Sequence, residues 1–309
     1  MESSKMLAVQ IDSPGPISAL RVRSIVAPIP GTDEVAIDLI ASSLNPADIK
    51  IRTGAVVPAT GNYPYTLGYD LVGTVVATGL DIADLDLGDR VLAMSAVALT
   101  GRGAWAERVC LPRAAVARLS DDLEASMLAR LPLIGLTAYQ AVRRADPAAD
   151  ESVLVAGAAG SVGRLVVQLL LHRGARVHAL VRTPDQVGLL PEDALLTHHV
   201  GQAPTGIADV VIDAAGGDFA TALVEKGRYV GLVPDQLPSR DALAARGVRR
   251  DVVITQESGA DLANLVDLVR RGVLTLPRSR CFPLNEIHAA HKEYEQDGQR
   301  NVVLTSPRR

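Results

Sequence analysis

The sequence predicts a two-domain α/β protein, in which a mostly antiparallel β domain is combined with a doubly wound parallel sheet. The chain has 309 residues, 48% of them hydrophobic, which suffices for about two domains with cores of their own. Up to about residue 119, short β-rich runs alternate with turn residues. From residue 120 onward, helical segments alternate with strands that are apolar on both faces, a pattern typical of a parallel sheet covered by helices.

Each element is predicted from its local pattern. In the first region the predicted strands are Met6–Gln10, Glu34–Ile40, Leu71–Ala77 and Arg90–Met94. In the second region they are Ser152–Ala156, Arg176–Val181, Asp209–Asp213 and Arg228–Val233. From about residue 277 the pattern changes again, and we expect a helix near Leu284–Gln296 and a final strand at Asn301–Thr305.

Composition argues against several classes of partner. The formal net charge is −4 and no basic run occurs, so nothing in the sequence favours nucleic acid as a partner. The sequence contains neither a signal-like apolar segment at its start nor an apolar window long enough for a membrane span, so we expect a cytoplasmic protein without a membrane partner. Cys110 and Cys281 are expected to be reduced thiols.

A strand, a glycine-rich turn and a helix follow one another in the middle of the chain. The apolar run Ser152–Ala156 precedes the turn, and the amphipathic segment Arg164–Arg173 follows it. Gly157 permits the tight turn, Gly160 leaves room for a pyrophosphate at the helix N-terminus, and Gly163 lets the helix pack closely on the strand. The turn therefore predicts a dinucleotide site whose contacts are Gly157, Ala159, Gly160, Ser161, Val162 and Gly163.

The end of the second strand of this region indicates which dinucleotide binds. NAD-preferring folds of this kind carry an acid about 20 positions past the glycine turn, where it accepts hydrogen bonds from the adenosine ribose. Here that position is Val181, and the next residue, Arg182, is a cation that can hold a 2′-phosphate. We therefore predict NADPH, with Arg182 and Thr183 as contacts. Asp185 is an alternative ribose contact.

Several short motifs link the chain to a known family. In order they are Ser43–Lys50, Leu67–Asp70, Gly88–Val91, Gly103–Glu107, Gly135–Tyr139, the glycine turn, Asp213–Gly217 and Gly227–Val230. Together they resemble the medium-chain dehydrogenase/reductase superfamily, and within it the zinc-free quinone oxidoreductase (zeta-crystallin-like) and enone reductase branch. The resemblance implies a GroES-like catalytic domain of residues 1–119, completed by residues 277–309, and a Rossmann NADPH-binding domain of residues 120–276.

The positions that hold zinc in other branches of the superfamily carry different residues here. Catalytic zinc in those enzymes takes a Cys, a His and a second Cys, and structural zinc takes four closely spaced Cys. This chain has two cysteines, and it carries Gly68, Tyr69 and Asp70 where zinc relatives carry Gly-His-Glu. We therefore predict no metal site. His288 and His291 share one face of a predicted helix and are expected to be a surface pair.

The resemblance implies further contacts to the cofactor. A threonine in the Gly135–Tyr139 motif corresponds to the family threonine near the nicotinamide, and residues that follow two strands should lie at the carboxyl edge of the sheet. Relatives often carry Gly-Lys before the last strand, where an asparagine keeps a polar group in this chain. The contacts implied are Thr137, Ala214, Ala215, Leu232, Val233 and Asn301.

The catalytic candidates lie in the first domain. Hydride delivery to an enone or a quinone leaves an anion that must be stabilised and protonated. Two tyrosines of the quinone oxidoreductases are replaced by Lys50 and Val56, and a lysine here resembles the alkenal and enone reductases, in which it orients the nicotinamide ribose. Lys50 is the leading candidate. Asn45 and Asp48 are expected to fix its loop, with Asp48 alternatively acting as an N-cap.

The segment 54–66 is the expected substrate lid, since loops of this composition carry specificity. Tyr63 and Tyr65 lie in it, and Tyr69 follows it. Each of these tyrosines can donate a proton or stack on a flat substrate, and each can equally pack between the lid and the β domain. Tyr63 and Tyr65 join Lys50 and Asn45 as catalytic candidates.

These features predict an NADPH-dependent, metal-free reductase that transfers a hydride to a quinone or to the C=C bond of an α,β-unsaturated carbonyl. A close alternative is an enoyl-thioester or biosynthetic-pathway ene reductase. An alternative of another class is an NADPH-binding structural or regulatory protein without turnover. By analogy with relatives we expect a homodimer, formed through the apolar runs Tyr229–Val233 and Val252–Thr255.

Overall fold

The computed structural model describes residues 4–120, 122–296 and 301–307, which form two units. The first unit runs to Leu133 and adds Gln256–Asp267 and the chain from Leu276. The second holds Ile134–Thr255 and Leu268–Thr275. The first unit therefore extends beyond residue 119 and takes in a segment before residue 277. Glu257 shows why, because its Oε1 accepts a hydrogen bond from the Ala96 N–H at 2.7 Å.

The elements are numbered in chain order. The strands are β1 (Lys5–Ile11), β2 (Leu20–Val26), β3 (Glu34–Ser43), β4 (Tyr65–Thr66), β5 (Asp70–Thr78), β6 (Arg90–Met94), β7 (Arg108–Pro112), β8 (Val116–Arg118), β9 (Ser152–Ala156), β10 (Arg176–Val181), β11 (Leu196–Val200), β12 (Ala208–Asp213), β13 (Leu223–Gly231), β14 (Arg249–Val252), β15 (Arg280–Pro283) and β16 (Val302–Thr305). The α-helices are α1 (Pro46–Thr53), α2 (Val97–Thr100), α3 (Ala125–Leu128), α4 (Leu131–Ala145), α5 (Ser161–His172), α6 (Arg240–Ala245), α7 (Gly259–Arg270) and α8 (Ile287–Gln296).

The first unit is built on antiparallel sheets, as the sequence predicts. One sheet has the order β2–β1–β4, and the other has the order β15–β16–β3–β5–β6–β8, with β7 also paired to β3. All of these strand pairs are antiparallel except β15 and β16. The long strand β3 pairs with β5, β7 and β16, so the C-terminal strand completes the sheet of the N-terminal region.

The second unit is a parallel sheet in the order β11–β10–β9–β12–β13–β14, which confirms the doubly wound prediction. The predicted bounds of β9 and β10 are confirmed at both ends. Strand β13 ends at Gly231, short of the predicted Val233, because a 3-10 helix starts at Pro234. The core side chains on one side of the sheet include Leu154, Val211 and the fully buried Tyr229.

The run expected to form a dimer contact lies at the edge of this sheet. Strand β14 ends at Val252, so the rest of the predicted run Val252–Thr255 follows the strand instead of extending it. Val252 and Ile254 are 39% and 53% exposed. Tyr229–Gly231 belongs to β13, one strand further in. Dimerisation through these runs stays a prediction. In the described part of the chain, no helix combines the length and the apolar character that crossing a bilayer requires.

His291 lies in the core of the first unit, so the prediction of a surface pair with His288 is wrong for this residue. Its side chain on α8 is 0% exposed, and its ring meets that of Trp105 edge-on at 5.4 Å. Within the described residues neither ring nitrogen has a hydrogen-bond partner. Burial, with the nearby charge of Arg52, lowers the pKa of His291 to about 3. His288 contacts the Leu20 carbonyl at 3.2 Å.

This burial predicts an acid-sensitive stability. Below the pKa of an unfolded histidine, about 6.5, the unfolded chain binds a proton that folded His291 does not, so stability falls as the pH drops towards the folded value of about 3. Between pH 7 and pH 5 we expect this group alone to cost about 2 kcal/mol.

Urea unfolding of the wild type and of His291→Leu at both pH values measures the effect. The variant should lose about 2 kcal/mol less stability than the wild type between pH 7 and pH 5. His172→Leu, at an exposed position on α5, serves as the control and should keep the wild-type dependence. Equal losses in the wild type and His291→Leu would contradict the prediction.

Candidate functional site

The carboxyl edge of the parallel sheet brings together most of the predicted cofactor residues. Gly157 follows β9, Arg182 follows β10, Ala214 follows β12, and Leu232 follows β13. Because these strands are parallel neighbours, the loops after them emerge at one edge of the sheet. The sequence pattern placed each residue at a strand end, and the sheet order makes them neighbours.

The glycine turn has the close packing that its spacing predicts. Gly157 adopts φ +74°, a left-handed conformation that side chains rarely adopt. A Cβ on Gly163 would lie 2.1 Å from the Gly157 carbonyl oxygen, so α5 approaches the turn too closely for any side chain there. Gly160 is exposed and is the N-cap of α5, without a side chain to cap the helix. Ala159, Ser161 and Val162 are half-buried beside it.

The chain after β10 offers an exposed cation. Arg182 and Thr183 are both exposed, and Thr183 is the N-cap of the 3-10 helix Pro184–Leu189. The Arg182 N–H donates to Gln186 Oε1 at 2.9 Å, which fixes the backbone of this residue. Among the residues that the structure describes, its guanidinium makes no ion pair. Asp185, the alternative ribose contact, is exposed one residue past Pro184.

The loop after β12 is organised by a buried carboxylate. Asp213 is 0% exposed, and its oxygens accept hydrogen bonds from the N–H groups of Ala215 at 2.9 Å, Gly216 at 2.9 Å and Gly217 at 3.2 Å. The Tyr229 hydroxyl also contacts it at 2.9 Å. Burial raises the pKa of Asp213 and these bonds oppose the rise, while burial and the Asp213 charge raise that of Tyr229. Ala214 and Ala215 are thereby held in one conformation.

Thr137 is hydrogen-bonded to the loop that follows β14, the last strand of the parallel sheet. Its Oγ1 lies 2.7 Å from Thr255 Oγ1, and either hydroxyl can be the donor. Thr255 follows β14, so this pair fixes α4 against the last loop of the sheet. Leu232 and Val233 are half-buried between Gly231 and the 3-10 helix that starts at Pro234.

In the first unit, two of the predicted catalytic residues, Asn45 and Lys50, lie at α1. Asn45 is the N-cap of α1, Pro46 follows it, and the side chain of Asp48 accepts the Asn45 N–H at 2.9 Å. Asp48 therefore helps to cap the helix from inside its first turn, rather than as the N-cap itself. Lys50 is exposed on α1, and its carbonyl oxygen accepts the Val56 N–H at 3.0 Å.

The two lid tyrosines differ in exposure. Tyr65 is 2% exposed and its hydroxyl donates to the Val97 carbonyl oxygen, which ties β4 to α2. Burial, with neighbouring Tyr63, raises the pKa of Tyr65 to about 12. Tyr63 is 36% exposed, and its ring centre lies 6.3 Å from that of Tyr65. Tyr69 is buried, which raises its pKa. Tyr63 is thus the lid tyrosine whose ring remains accessible.

Asn301 lies close to the start of α1 through the pairing of β16 with β3. Val303 is opposite Ser43, and the Leu44 N–H donates to the Val302 carbonyl oxygen at 3.2 Å. Asn301 and Asn45 consequently leave the paired strands at the same end. Asn301 is 6% exposed and its own carbonyl oxygen accepts the Arg280 N–H at 2.8 Å.

Sequence reasoning did not identify four residues that shape these sites. They are Asp70, Asp213, Tyr229 and Thr255. A signal existed for Asp213, because an acid at the end of an apolar strand before Ala-Ala-Gly-Gly is well placed to accept the N–H groups of the following turn. For Thr255 no local signal exists, because its partner lies 118 residues away.

Two parts of the chain match known protein families. Residues 31–121 match the family described as the alcohol dehydrogenase GroES-like domain, and residues 192–300 match the family described as zinc-binding dehydrogenase. The solved structure of the quinone oxidoreductase from Coxiella burnetii is 28% identical, with a TM-score of 0.85, over 98% of this chain and 99% of its own. The chain belongs to the medium-chain dehydrogenase/reductase superfamily.

Two relatives in Arabidopsis thaliana are named as a quinone oxidoreductase and an alkenal/one oxidoreductase. The chloroplast envelope quinone oxidoreductase homolog is 30% identical over 256 residues, which cover 76% of this chain and 77% of that protein. The chloroplastic NADPH-dependent alkenal/one oxidoreductase is 33% identical over 229 residues, which cover 70% of this chain. The match spans 59% of that relative's own length. This medium-chain dehydrogenase/reductase therefore belongs to a family of oxidoreductases.

Oxidoreductases of the superfamily use a nicotinamide cofactor, and the glycine turn fits one. The left-handed Gly157 and the buried Gly163 leave the α5 N-terminus open beside the exposed Gly160, as a pyrophosphate requires. A metal fits less well. Among the described residues, no group of three or more His, Cys, Asp or Glu side chains is arranged to hold a metal ion.

The close approach at Gly163 predicts that a single methyl group damages the cofactor site. In Gly163→Ala the new Cβ meets the Gly157 oxygen at 2.1 Å, so α5 or the turn must shift. We expect dinucleotide affinity to fall about tenfold or more, measured by fluorescence titration of NADPH. Gly188→Ala is the matched control, because nothing lies within 4 Å of its Cβ and its φ is not positive. Equal affinities in the two variants would refute the expectation.

Proposed function

We propose that this medium-chain dehydrogenase/reductase is an NADPH-dependent, metal-free reductase of quinones or α,β-unsaturated carbonyls. The observation that carries the proposal is the open glycine turn with an exposed arginine on the neighbouring strand end. The names of the relatives, a quinone oxidoreductase homolog and an alkenal/one oxidoreductase, support the substrate class. Reduced nicotinamide supplies the hydride in such reactions.

The arrangement after β10 supports NADPH over NADH. Val181 occupies the strand end where NAD-preferring folds carry an acid, and Arg182 follows it. A 2′-phosphate needs a charge-assisted hydrogen bond from a cation, and the Arg182 guanidinium is exposed and has no carboxylate partner in the described residues. The relative named as NADPH-dependent is consistent with this choice.

Lys50 and Tyr63 are the residues that we propose for the reacting end. Lys50 is exposed on a helix whose N-terminus is held by buried hydrogen bonds, so its ammonium group is presented from a fixed backbone. It would hydrogen-bond the nicotinamide ribose and orient it. Tyr63 is the accessible lid tyrosine, since the Tyr65 hydroxyl is engaged by Val97. Tyr63 would stack on a flat substrate or donate a proton to the anion that hydride transfer creates.

The available donor groups support a reaction without a metal. Tyr69 and Asp70 stand where zinc relatives carry His and Glu, and both are buried in the first unit. The charge that develops on the substrate oxygen must then be stabilised by hydrogen bonds or by the Lys50 ammonium. Such groups suit an enone or a quinone, whose reduction gives a delocalised anion.

The proposed activity predicts acceptor-dependent oxidation of NADPH. Purified protein is mixed with NADPH and offered quinones and alkenals, and the absorbance at 340 nm is followed. We expect the absorbance to fall with quinones or alkenals but not with the matched saturated carbonyls, which lack the C=C bond that accepts the hydride. Tight NADPH binding without oxidation across the whole panel would instead indicate a binding protein without turnover.

The cofactor preference makes a separate prediction. Arg182→Ala removes the cation for the 2′-phosphate, so the KM for NADPH should rise about tenfold or more while the KM for NADH changes little. Arg173→Ala is the control, because it removes an exposed arginine at the C-cap of α5. If both cofactors served equally well in the wild type and Arg182→Ala changed neither KM, the assignment of Arg182 would be wrong.

A further inference from the structure

Two carboxyl groups lie buried at the amino end of α1. Asp48 and Asp70 are both 0% exposed. Burial raises the pKa of both groups, that of Asp70 to about 6, in opposition to the hydrogen bonds they receive. Because a buried carboxyl group is costly unless its oxygens are hydrogen-bonded, the bonds made by these two residues are structurally important.

Asp70 joins three separate segments of the first unit. Its Oδ2 accepts the Asn45 side-chain amide at 2.6 Å and the Ser43 hydroxyl at 2.5 Å. Its Oδ1 accepts the Leu133 N–H at 2.7 Å. The start of β5 is thereby bonded to the end of β3, to the N-cap of α1 and to the first turn of α4. Asp70 is the common acceptor for all three.

Asn45 is held by both buried carboxyl groups. Its backbone N–H donates to Asp48 and its side chain donates to Asp70, while the second oxygen of Asp48 accepts the Gly68 N–H at 3.2 Å. Asp48 is part of α1, and its bond to Gly68 ties the helix to the segment before β5. Asp70 belongs to β5, so it anchors the N-cap from outside the helix.

The direction of Lys50 depends on this anchor. Lys50 lies five residues beyond Asn45, or roughly 7.5 Å along the helix axis. No hydrogen bond or ion pair to a described residue fixes its exposed ammonium group. The orientation of α1 therefore decides where the ammonium points, and a small rotation at the N-cap moves it.

We propose that Asp70 is a positioning residue, which holds Asn45 and so fixes the direction in which α1 presents Lys50 to the nicotinamide ribose. The inference rests on the proposed function, in which Lys50 contacts the bound cofactor. Asp70 itself contacts neither substrate nor cofactor in this scheme. Its removal should therefore cost no more than Lys50 contributes.

A double-mutant cycle tests this dependence. The wild type, Asp70→Asn, Lys50→Ala and the double variant are compared in kcat/KM and in the dissociation constant of NADPH, which fluorescence titration measures without turnover. When Lys50 is present, we expect Asp70→Asn to lower kcat/KM about tenfold and to raise the dissociation constant of NADPH about tenfold. When residue 50 is Ala, we expect each change to be less than about twofold. Equal losses in the two backgrounds would overturn the proposal.

A second measurement uses the cofactor-free protein. Hydrogen exchange of the α1 amides should accelerate about tenfold in Asp70→Asn, while that of α8 stays unchanged. Unchanged exchange in α1 would also overturn the proposal, since α1 would then be held without Asp70. Asp251→Asn is the matched control for the cycle: Asp251 is a buried carboxylate of the second unit, paired with Arg144 and Arg249, and its effect should be the same in both Lys50 backgrounds.

Two further outcomes separate this proposal from the proposed function. If Asp70→Asn does not fold, Ser43→Ala replaces it in the double-mutant cycle, because this variant removes one hydrogen-bond donor to Asp70. If the wild type reduces the substrate panel and Lys50→Ala matches it in both measurements, the positioning role is wrong while the reductase activity stands. If the wild type reduces no acceptor, the proposed function is wrong, and the cycle in NADPH affinity still decides the role of Asp70.

Discussion

The second unit depends on one constraint, the parallel register of β9 with its neighbours β10 and β12. Val155 lies opposite Ala179 on one side and Ile212 on the other. The first amides of the following loops continue this pairing: the Ala158 N–H donates to the Leu180 carbonyl oxygen, and the Ala214 N–H donates to that of Ala156. The strands therefore fix the positions of the loops, so the residues predicted to bind the cofactor should need little ordering when a ligand arrives.

Periodicity and glycine spacing were sufficient to predict the antiparallel sheet of the first unit and the parallel sheet of the second. Apolar runs bounded by turn residues located β6, β9 and β10 to the residue, and the spacing of Gly157, Gly160 and Gly163 identified the strand–turn–helix unit. These features succeed because they are local: a glycine is favoured where the backbone has a positive φ, and it is required where the backbone leaves no room for a Cβ. The position of Arg182 at a strand end follows from the same local pattern.

Contacts between distant segments could not be predicted in this way. The hydroxyl pair of Thr137 and Thr255 and the bond from Asn45 to Asp70 depend on strand order and register, which a single sequence does not encode locally. His291 shows the same limit, since helical periodicity put it on one face of α8 but not against Trp105. The limits of the two units differ from the predicted domain limits for a related reason. Hydrogen bonds such as that from Ala96 to Glu257 join segments far apart in the chain.

The hydrogen bonds between the predicted lid, segment 54–66, and α2 have a consequence for the way specificity can change. The Ala59 N–H donates to the Ala98 carbonyl oxygen at 2.8 Å, and the Tyr65 hydroxyl donates to that of Val97. Segment 54–66 and helix α2 are therefore joined by hydrogen bonds, although residues 67–96, which include β5 and β6, separate them in the chain. An engineer who grafts a lid from another enzyme must transplant α2 with it, and natural divergence in substrate choice should change the two segments together.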